Sequence, residues 1–502
     1  MAVNETETED DAPAGARLPG LERLPLVAAT SGPEERRLEA EYYDTDGLRL
    51  IRAGITLRRR SGGGDDGWHL KLPLGGDTRR AIRRPLGGPE RRVPEDLASL
   101  VRVQTRGAPL KPIARMTTTR HRLVLLDAAG KSLAEVVADD VDAQILGPVT
   151  AVSRWQEVEV ELTGGDRRLL RAAGELLRHD GLRRAGQAAR LARALGGRLP
   201  GPDHVARLTA SSAAGHVVLA YLRAHTERLK ALDPMVRLDE PDSVHQMRVA
   251  SRRLRSTLRS FGHILPRRAT RELAAEFKWL GGVLGEARDG EVLAGHLRAR
   301  LRQVPVELRI GPVGARIQGH FASVRAAART ELLAVLDSER YFSLLDELDR
   351  LLADPPFTPE ASRPGADVLP AAARRARRQA GRRMRRAWHA PPGQARNEAL
   401  HEARKAARRA RYAAEAMTPA IGVKAARFAG RMRMAQSVLG EHQDSVIARA
   451  VLRDLGIGAY LAGENAFSYG LLYGGGACDG ERLQARARAV WRKSSRRSRW
   501  PY

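Results

Sequence analysis

The chain has 502 residues, with 86 Lys and Arg against 59 Asp and Glu, giving a formal charge of +27. That length accommodates two or three domains with their own cores. The single cysteine, Cys478, excludes an intrachain disulfide and a Cys-based zinc site. The charge is uneven: residues 1–200 carry 33 basic and 29 acidic side chains, whereas residues 201–502 carry 53 and 30. An anionic partner is therefore expected mainly at the C-terminal part. Most of the cations are Arg, whose planar fork meets phosphate oxygens bidentately, although an Arg-, Ala- and Gly-rich composition also follows from a GC-rich genome.

The chain opens on MAVNETETEDD, which lacks the apolar core of a secretory signal. The segment 1–17 reads as a disordered acidic tail or as a degenerate first strand. Residues 18–198 read as short strands: Gly54–Arg60, Trp68–Leu72, Leu123–Leu126, Leu133–Val137 and Trp155–Leu162 alternate or run apolar between Gly, Asp and Pro turns. Strands at this spacing predict an antiparallel barrel or sandwich, and residues 166–195 shift to helical periodicity. The stretch GGRLPGPDH (196–204) marks a junction, with a linker at 199–207.

From Leu208 the pattern is helical, with Asp233–Pro241, Pro355–Pro370 and Ala390–Gly393 as breaks. The longest uncharged stretch near the junction, Leu208–Leu222, is too short to span a bilayer. A soluble, cytoplasmic protein without a membrane partner is expected. The helical part contains an internal repeat over about 208–350 and 366–500. VHQMRVASRRLRSTLRSF (244–261) and LGEARDGEV (284–292) recur as LHEARKAARRARYAAEAM (400–417) and LGEHQDSVI (439–447).

In each copy a His is followed by four Arg: His245, Arg248, Arg252, Arg253 and Arg255, then His401, Arg404, Arg408, Arg409 and Arg411. Offsets 0, 3, 7 and 10 fall within an arc of roughly 80° and span roughly 15 Å of helix. Guanidinium groups so close repel one another unless an anion or facing carboxylates neutralise them. Asp289, Asp444, Glu286 and Glu441 are the expected internal partners. A further cluster places Arg374, Arg378, Arg382 and Arg385 on one helical face, and the tail Arg486–Arg499 reads as a basic, Ser-rich, mobile terminus.

In the strand-rich part, Glu157, Glu159 and Glu161 share one strand face, opposite Val158, Val160 and Leu162. Three carboxylates in a row suit a hard-cation site or an acidic outer sheet face. Arg58 and Arg60 share a face opposite Ile55 and Leu57, and Lys71 alternates with Leu70 and Leu72. Each could line a tunnel or stand on the surface.

The paired helical blocks resemble the CHAD domain over roughly 208–500. The motif stands in the first copy as His245, Met247, Arg248, Val249, Arg252, Arg253, Leu254 and Arg255, and the second copy departs at Ala403 and Ala410. The resemblance implies two pseudo-symmetric helical bundles around a basic groove that associates with inorganic polyphosphate. The N-terminal part resembles the CYTH domain of the triphosphate tunnel metalloenzymes. The order EYYDT (41–45), GITLRRR (54–60), WHLKLP (68–73), IAR (113–115), LAEVVADD (133–140) and WQEVEVEL (155–162) carries it.

That resemblance implies an eight-stranded antiparallel barrel with flanking helices. In its tunnel Arg58, Arg60, Lys71, Arg79, Arg115 and Arg190 would hold a triphosphate, and Glu157, Glu159 and Glu161 would hold Mg²⁺ or Mn²⁺. No catalytic residue is assigned. Departures point to a degenerate site: in Glu5-Thr6-Glu7-Thr8-Glu9 the family's lysine position holds Glu9. Ala81 stands where a Glu is expected, Thr117 where a second basic residue is expected, and Arg190 replaces a lysine. The expected function is inorganic polyphosphate binding by the helical domain, with location at polyphosphate granules. The alternatives are metal-dependent triphosphate hydrolysis in the tunnel, and nonspecific nucleic-acid binding.

Overall fold

A computed structural model describes residues 2–12, 20–32, 34–64, 66–75, 78–87, 92–147, 150–184, 189–199 and 207–495. The chain divides into two compact units, Met1–His204 and Val205–Tyr502.

The first unit carries strands β1 (Ala2–Ala12), β2 (Ala29–Thr30), β3 (Glu34–Asp44), β4 (Thr56–Ser61), β5 (Gly67–Gly75), β6 (Thr78–Arg84), β7 (Lys111–Leu126), β8 (Ser132–Ile145), β9 (Ala151–Leu162) and β10 (Arg183–Arg184). Its helices are α1 (Arg49–Arg52), α2 (Glu95–Leu100), α3 (Arg102–Thr105), α4 (Arg167–His179) and α5 (Ala189–Leu195). The sheet is antiparallel in the order β10-β1-β6-β5-β4-β3-β7-β8-β9, with β2 on β7. β1 joins its two edges, because residues 2–6 pair with β6 and residues 7–12 pair with β9.

Of the two readings of residues 1–17, the tail gives way to the strand for residues 2–12, which close the barrel; residues 13–17 lie outside the described residues. Each half of β1 finds a ladder partner, β6 for residues 2–6 and β9 for residues 7–12, so backbone pairing rather than an apolar face holds the strand. Its register sets Glu5 opposite Arg79, Glu7 opposite Glu161 and Glu9 opposite Glu159.

Side-chain parity sorts the barrel into an outside and an inside. Outside, Ala134, Val136, Val158 and Val160 pack against Leu169, Leu170, Ala173 and Leu177 of α4. That helix starts at Asp166, whose carboxylate accepts the backbone N–H groups of Arg168 (2.8 Å) and Leu169 (3.1 Å). Inside, Tyr42, Met116, Val141, Ala143 and Trp155 meet Leu191, Ala194 and Leu195 of α5. This apolar plug fills one end of the barrel and leaves the other polar.

The second unit is helical: α6 (Ala214–Arg237), α7 (Ser243–Ser260), α8 (Arg267–Gln303), α9 (Val313–Leu336), α10 (Glu339–Ala353), α11 (Gly365–Val368), α12 (Pro370–His389), α13 (Gln394–Ala416), α14 (Thr418–Ile421), α15 (Val423–Leu461) and α16 (Phe467–Ser495). The repeat maps α6–α9 onto α12, α13, α15 and α16. α7 and α13, which carry the two His–Arg blocks, pack on each other. A core of Leu293, Leu297, Ile317 and Phe321 against Ala448, Leu452, Tyr469 and Leu472 joins the long arms of both repeats.

Two expectations shift. α6 runs through Pro234 to Arg237, where a buried Asp233–Arg237 pair (2.6 Å) and Asp337 hold its last turn. Arg486–Ser495 belongs to α16 rather than to a mobile terminus; residues 496–502 lie outside the described residues. Among the described residues no helix is long and apolar enough to cross a membrane.

Candidate functional site

The polar end of the barrel encloses a cavity of about 300 Å³. Seven cations line it, Arg36, Arg58, Arg60, Lys71, Arg83, Arg120 and Arg122, together with His69 and the carboxylates Glu135, Glu159 and Glu161. Arg58 donates to the Tyr42 hydroxyl (3.1 Å), and Arg122 to Glu135 (2.8 Å). Of the expected phosphate-binding residues, Arg58, Arg60 and Lys71 meet here. Arg79 is buried on the same face of β6 as Arg83.

Arg115 is not in the tunnel. It lies on the opposite face of β7 from Arg120 and Arg122, paired with Glu41 at 2.8 Å. The inward cations Arg36, Arg83, Arg120 and Arg122 escape the sequence reading. Their signal is parity: Arg120 and Arg122 are two apart, as Arg58 and Arg60 are.

Arg190 is engaged beneath the cavity rather than presented to it. Its guanidinium pairs with Asp139 (2.6 Å) and with Glu157, while Arg120 grips Asp139 through two bonds of 2.8 and 2.6 Å. Glu157 also accepts the Trp155 indole N–H at 2.7 Å. Burial opposes the charged form of Asp139, but Arg190 and Arg120 outweigh it and hold its pKa below the ordinary value. At Glu157 burial wins over Arg190 and the pKa is raised.

Of the three expected metal ligands, Glu157 is thus committed to a buried ion pair. Glu159 and Glu161 line the cavity, with Glu135 opposite Glu161 in register. Their oxygen chemistry suits a hard cation. Among the described residues no three acidic, His or Cys side chains converge into a metal site.

In the helical unit a cavity of about 1320 Å³ opens between the two repeats. His245, Arg248, Arg252 and Arg253 of α7 line it with Arg404 and Arg411 of α13. The recurrence of a Leu-Gly-Glu block in each repeat has a packing reason. A Cβ on Gly285 would stand 3.1 Å from the Arg248 guanidinium, and one on Gly440 would stand 3.4 Å from that of Arg404. Each glycine lets an arginine lie flat on the facing helix.

Arg408, half-buried on α13, sits among Arg252, Arg404 and Arg248. Burial, then the Arg252 charge, push its guanidinium pKa down to about 10. The next pair is neutralised instead: Arg253 (3.1 Å) and Arg411 (2.7 Å) share Glu415, and both stand over the Tyr412 ring at 5.5 Å. Arg255 and Arg409 turn into a different cavity. The expected single cationic face is thus divided among three environments.

Burial lowers the pKa of His245, with Arg288 adding to it, and burial with Lys405 does the same for His401. Both imidazoles are mainly neutral at pH 7. Of the expected acidic partners, Glu286 and Asp444 line the cavity, and Glu441 faces Arg486 at 3.1 Å. The Asp289 side chain lies outside the described ones.

Comparison with known proteins matches a CYTH domain model to residues 21–190 and a CHAD domain model to residues 220–453. An uncharacterized protein of Mycobacterium tuberculosis (strain CDC 1551 / Oshkosh) is 35% identical, covering 97% of this chain and 96% of its own. The CHAD domain from the plant Ricinus communis is 25% identical, with a TM-score of 0.46, covering 59% of this chain and 97% of that one. A Hippeastrum protein with a dominant triphosphatase activity is 15% identical, with a TM-score of 0.21, covering 40% and 99%.

Proposed function

This chain belongs to the family of proteins that carry a CYTH domain followed by a CHAD domain, and from that premise we propose that its helical unit binds inorganic polyphosphate. The observation that carries the proposal is the crowding of Arg248, Arg252, Arg404 and Arg408, with Arg408 pushed down to about 10. Like charges crowded together repel, the more so where burial removes the water that would screen them. A phosphate chain would relieve that repulsion, each guanidinium offering two parallel N–H groups to phosphate oxygens. The concave cavity suits a thin, flexible polyanion better than a rigid duplex. Its Tyr412 ring is buried and already covered by Arg253 and Arg411, so that ring offers no open face to a base.

The experiment is competition at matched salt. Long-chain polyphosphate is expected to displace duplex DNA from the full chain at far lower phosphate concentration than DNA displaces polyphosphate. Equal displacement in both directions would identify a generic cationic surface and reject the proposal.

A second reading concerns the tunnel, and the seven cations against three carboxylates in about 300 Å³ favour it. Arg58, Arg60, Lys71, Arg83, Arg120 and Arg122 would bind and orient an inorganic or organic triphosphate and neutralise its charge. Glu159 and Glu161 would hold Mg²⁺ or Mn²⁺, which polarises a phosphoryl oxygen when bound. Glu9, whose backbone is in register with Glu159, stands where the resemblance places a lysine. Phosphate release from tripolyphosphate with either metal, reduced at least roughly 100-fold by Glu159→Gln with Glu161→Gln, is the expected result. No release by the wild type, or equal release by the variant, rejects hydrolysis.

A further inference from the structure

We propose that a second cavity of the helical unit, between α7, α8, α12 and α13, is a separate binding site for the same extended phosphate chain, so that chain length sets affinity. The inference rests on the polyphosphate reading of the central cavity. The second cavity measures about 1000 Å³, and its lining includes nine Arg and Lys278 but no Asp or Glu. Several guanidinium groups elsewhere in this unit find carboxylates: Arg253 and Arg411 have Glu415, Arg237 has Asp233, and Arg340 has Glu276. Here, among the described residues, none of the ten cations has an ion-pair partner. Arg375 touches only the ring nitrogen of His263, at 3.0 Å.

The crowding registers on the groups themselves. Burial, then Arg259 and Arg409, lower the pKa of Arg255. Burial, then Arg267 and Arg378, lower that of Arg375. Glu402 acts on Arg409 from outside the lining, but ten cations around one concavity without an ion pair are costly unless an anion enters.

The wall also selects the kind of anion. Between the cations stand Leu258, Ser260, Thr270, Ala274 and Ala372, and no aromatic ring is present on which a base could stack. None of the large exposed hydrophobic residues lies in the lining, so a membrane surface has nothing apolar to grip. A chain of phosphates needs only the forks that are there.

The two cavities lie along one helix. Arg248 and Arg252 line or border the central cavity, and Arg255 and Arg259 line the second. The four are spaced by 4, 3 and 4 residues and rise about 16 Å in all. A long chain held in the first cavity would therefore engage the second intramolecularly, at high effective concentration. A short chain would occupy only one.

The test uses the full chain with long-chain polyphosphate. Arg375→Glu with Arg378→Glu is expected to weaken binding roughly 100-fold by removing that second engagement. Hydrogen exchange should show protection of residues 267–278 and 370–389 by polyphosphate in the wild type. In the variant this protection should be lost while protection around Arg248 persists. Should the charge reversal unfold the unit, the wild-type protection pattern decides alone. Protection confined to the central cavity in the wild type overturns the second site only, and unchanged affinity in a folded variant does the same. No polyphosphate binding by the wild type removes both readings. Equal protection of these helices by single-stranded DNA overturns the assignment to a phosphate chain.

Discussion

Replacing Asp139 by alanine is expected to destabilise the N-terminal unit by about 3–5 kcal/mol, the usual cost of stripping one partner from a buried ion pair. Asp139 is 2% exposed and holds Arg120 through two bonds and Arg190 through a third. Without it, two largely buried guanidinium groups retain Glu157, and Glu159 at 3.9 Å from Arg120. The pH sign follows from the lowered pKa of Asp139. Its stabilisation is present above the unfolded carboxylate value and is lost as pH falls through the lower folded one. Native-state hydrogen exchange of β7, β8 and β9 at pH 7 measures the loss. Exchange as slow as in the wild type would show that the network contributes nothing.

The same network shows where sequence reading stops. The alternation of Glu157, Glu159 and Glu161 correctly puts the three on one face, yet only the fold reveals that α5 brings Arg190 onto the first and removes it from the cavity. Arg115 was separable from the tunnel only by parity along a 16-residue strand. Counted outward from the inward Arg120, it falls on the other face. Residues 2–12 carry no apolar alternation, so the sequence leaves tail and strand both open, and only the pairing with β6 and β9 decides between them.

The helical repeat was far more legible. His245 and His401 head matching blocks, and the spacing to Gly285 and Gly440 is the packing of two arginines against two helices. What a helical wheel could not show is that α7 and α13 cross. The crossing sends Arg253 to Glu415 on the partner helix and lets Arg255 and Arg409 leave the central cavity for the second one. The cations that complete the second cavity come from helix faces outside either repeated motif, so no spacing rule joined Arg267 or Arg271 to Arg375.

The second large effect is expected from Arg248→Glu combined with Arg404→Glu. Each change removes a charge-assisted contact worth about 1.5–3 kcal/mol, so the pair should lower polyphosphate affinity roughly 100- to 10,000-fold. The unliganded protein should respond in the opposite direction. A carboxylate beside Arg252 and Arg408 relieves the repulsion that lowers the Arg408 pKa, so the unfolding transition should hold or rise. Lost binding with unreduced stability marks groups held in strain for a ligand, whereas a structural role would lose both. The deciding measurement is the calorimetric affinity of wild type and double variant for long-chain polyphosphate at one salt concentration. A folded variant at least 100-fold weaker is the predicted result, and a folded variant that binds as tightly as the wild type contradicts the account.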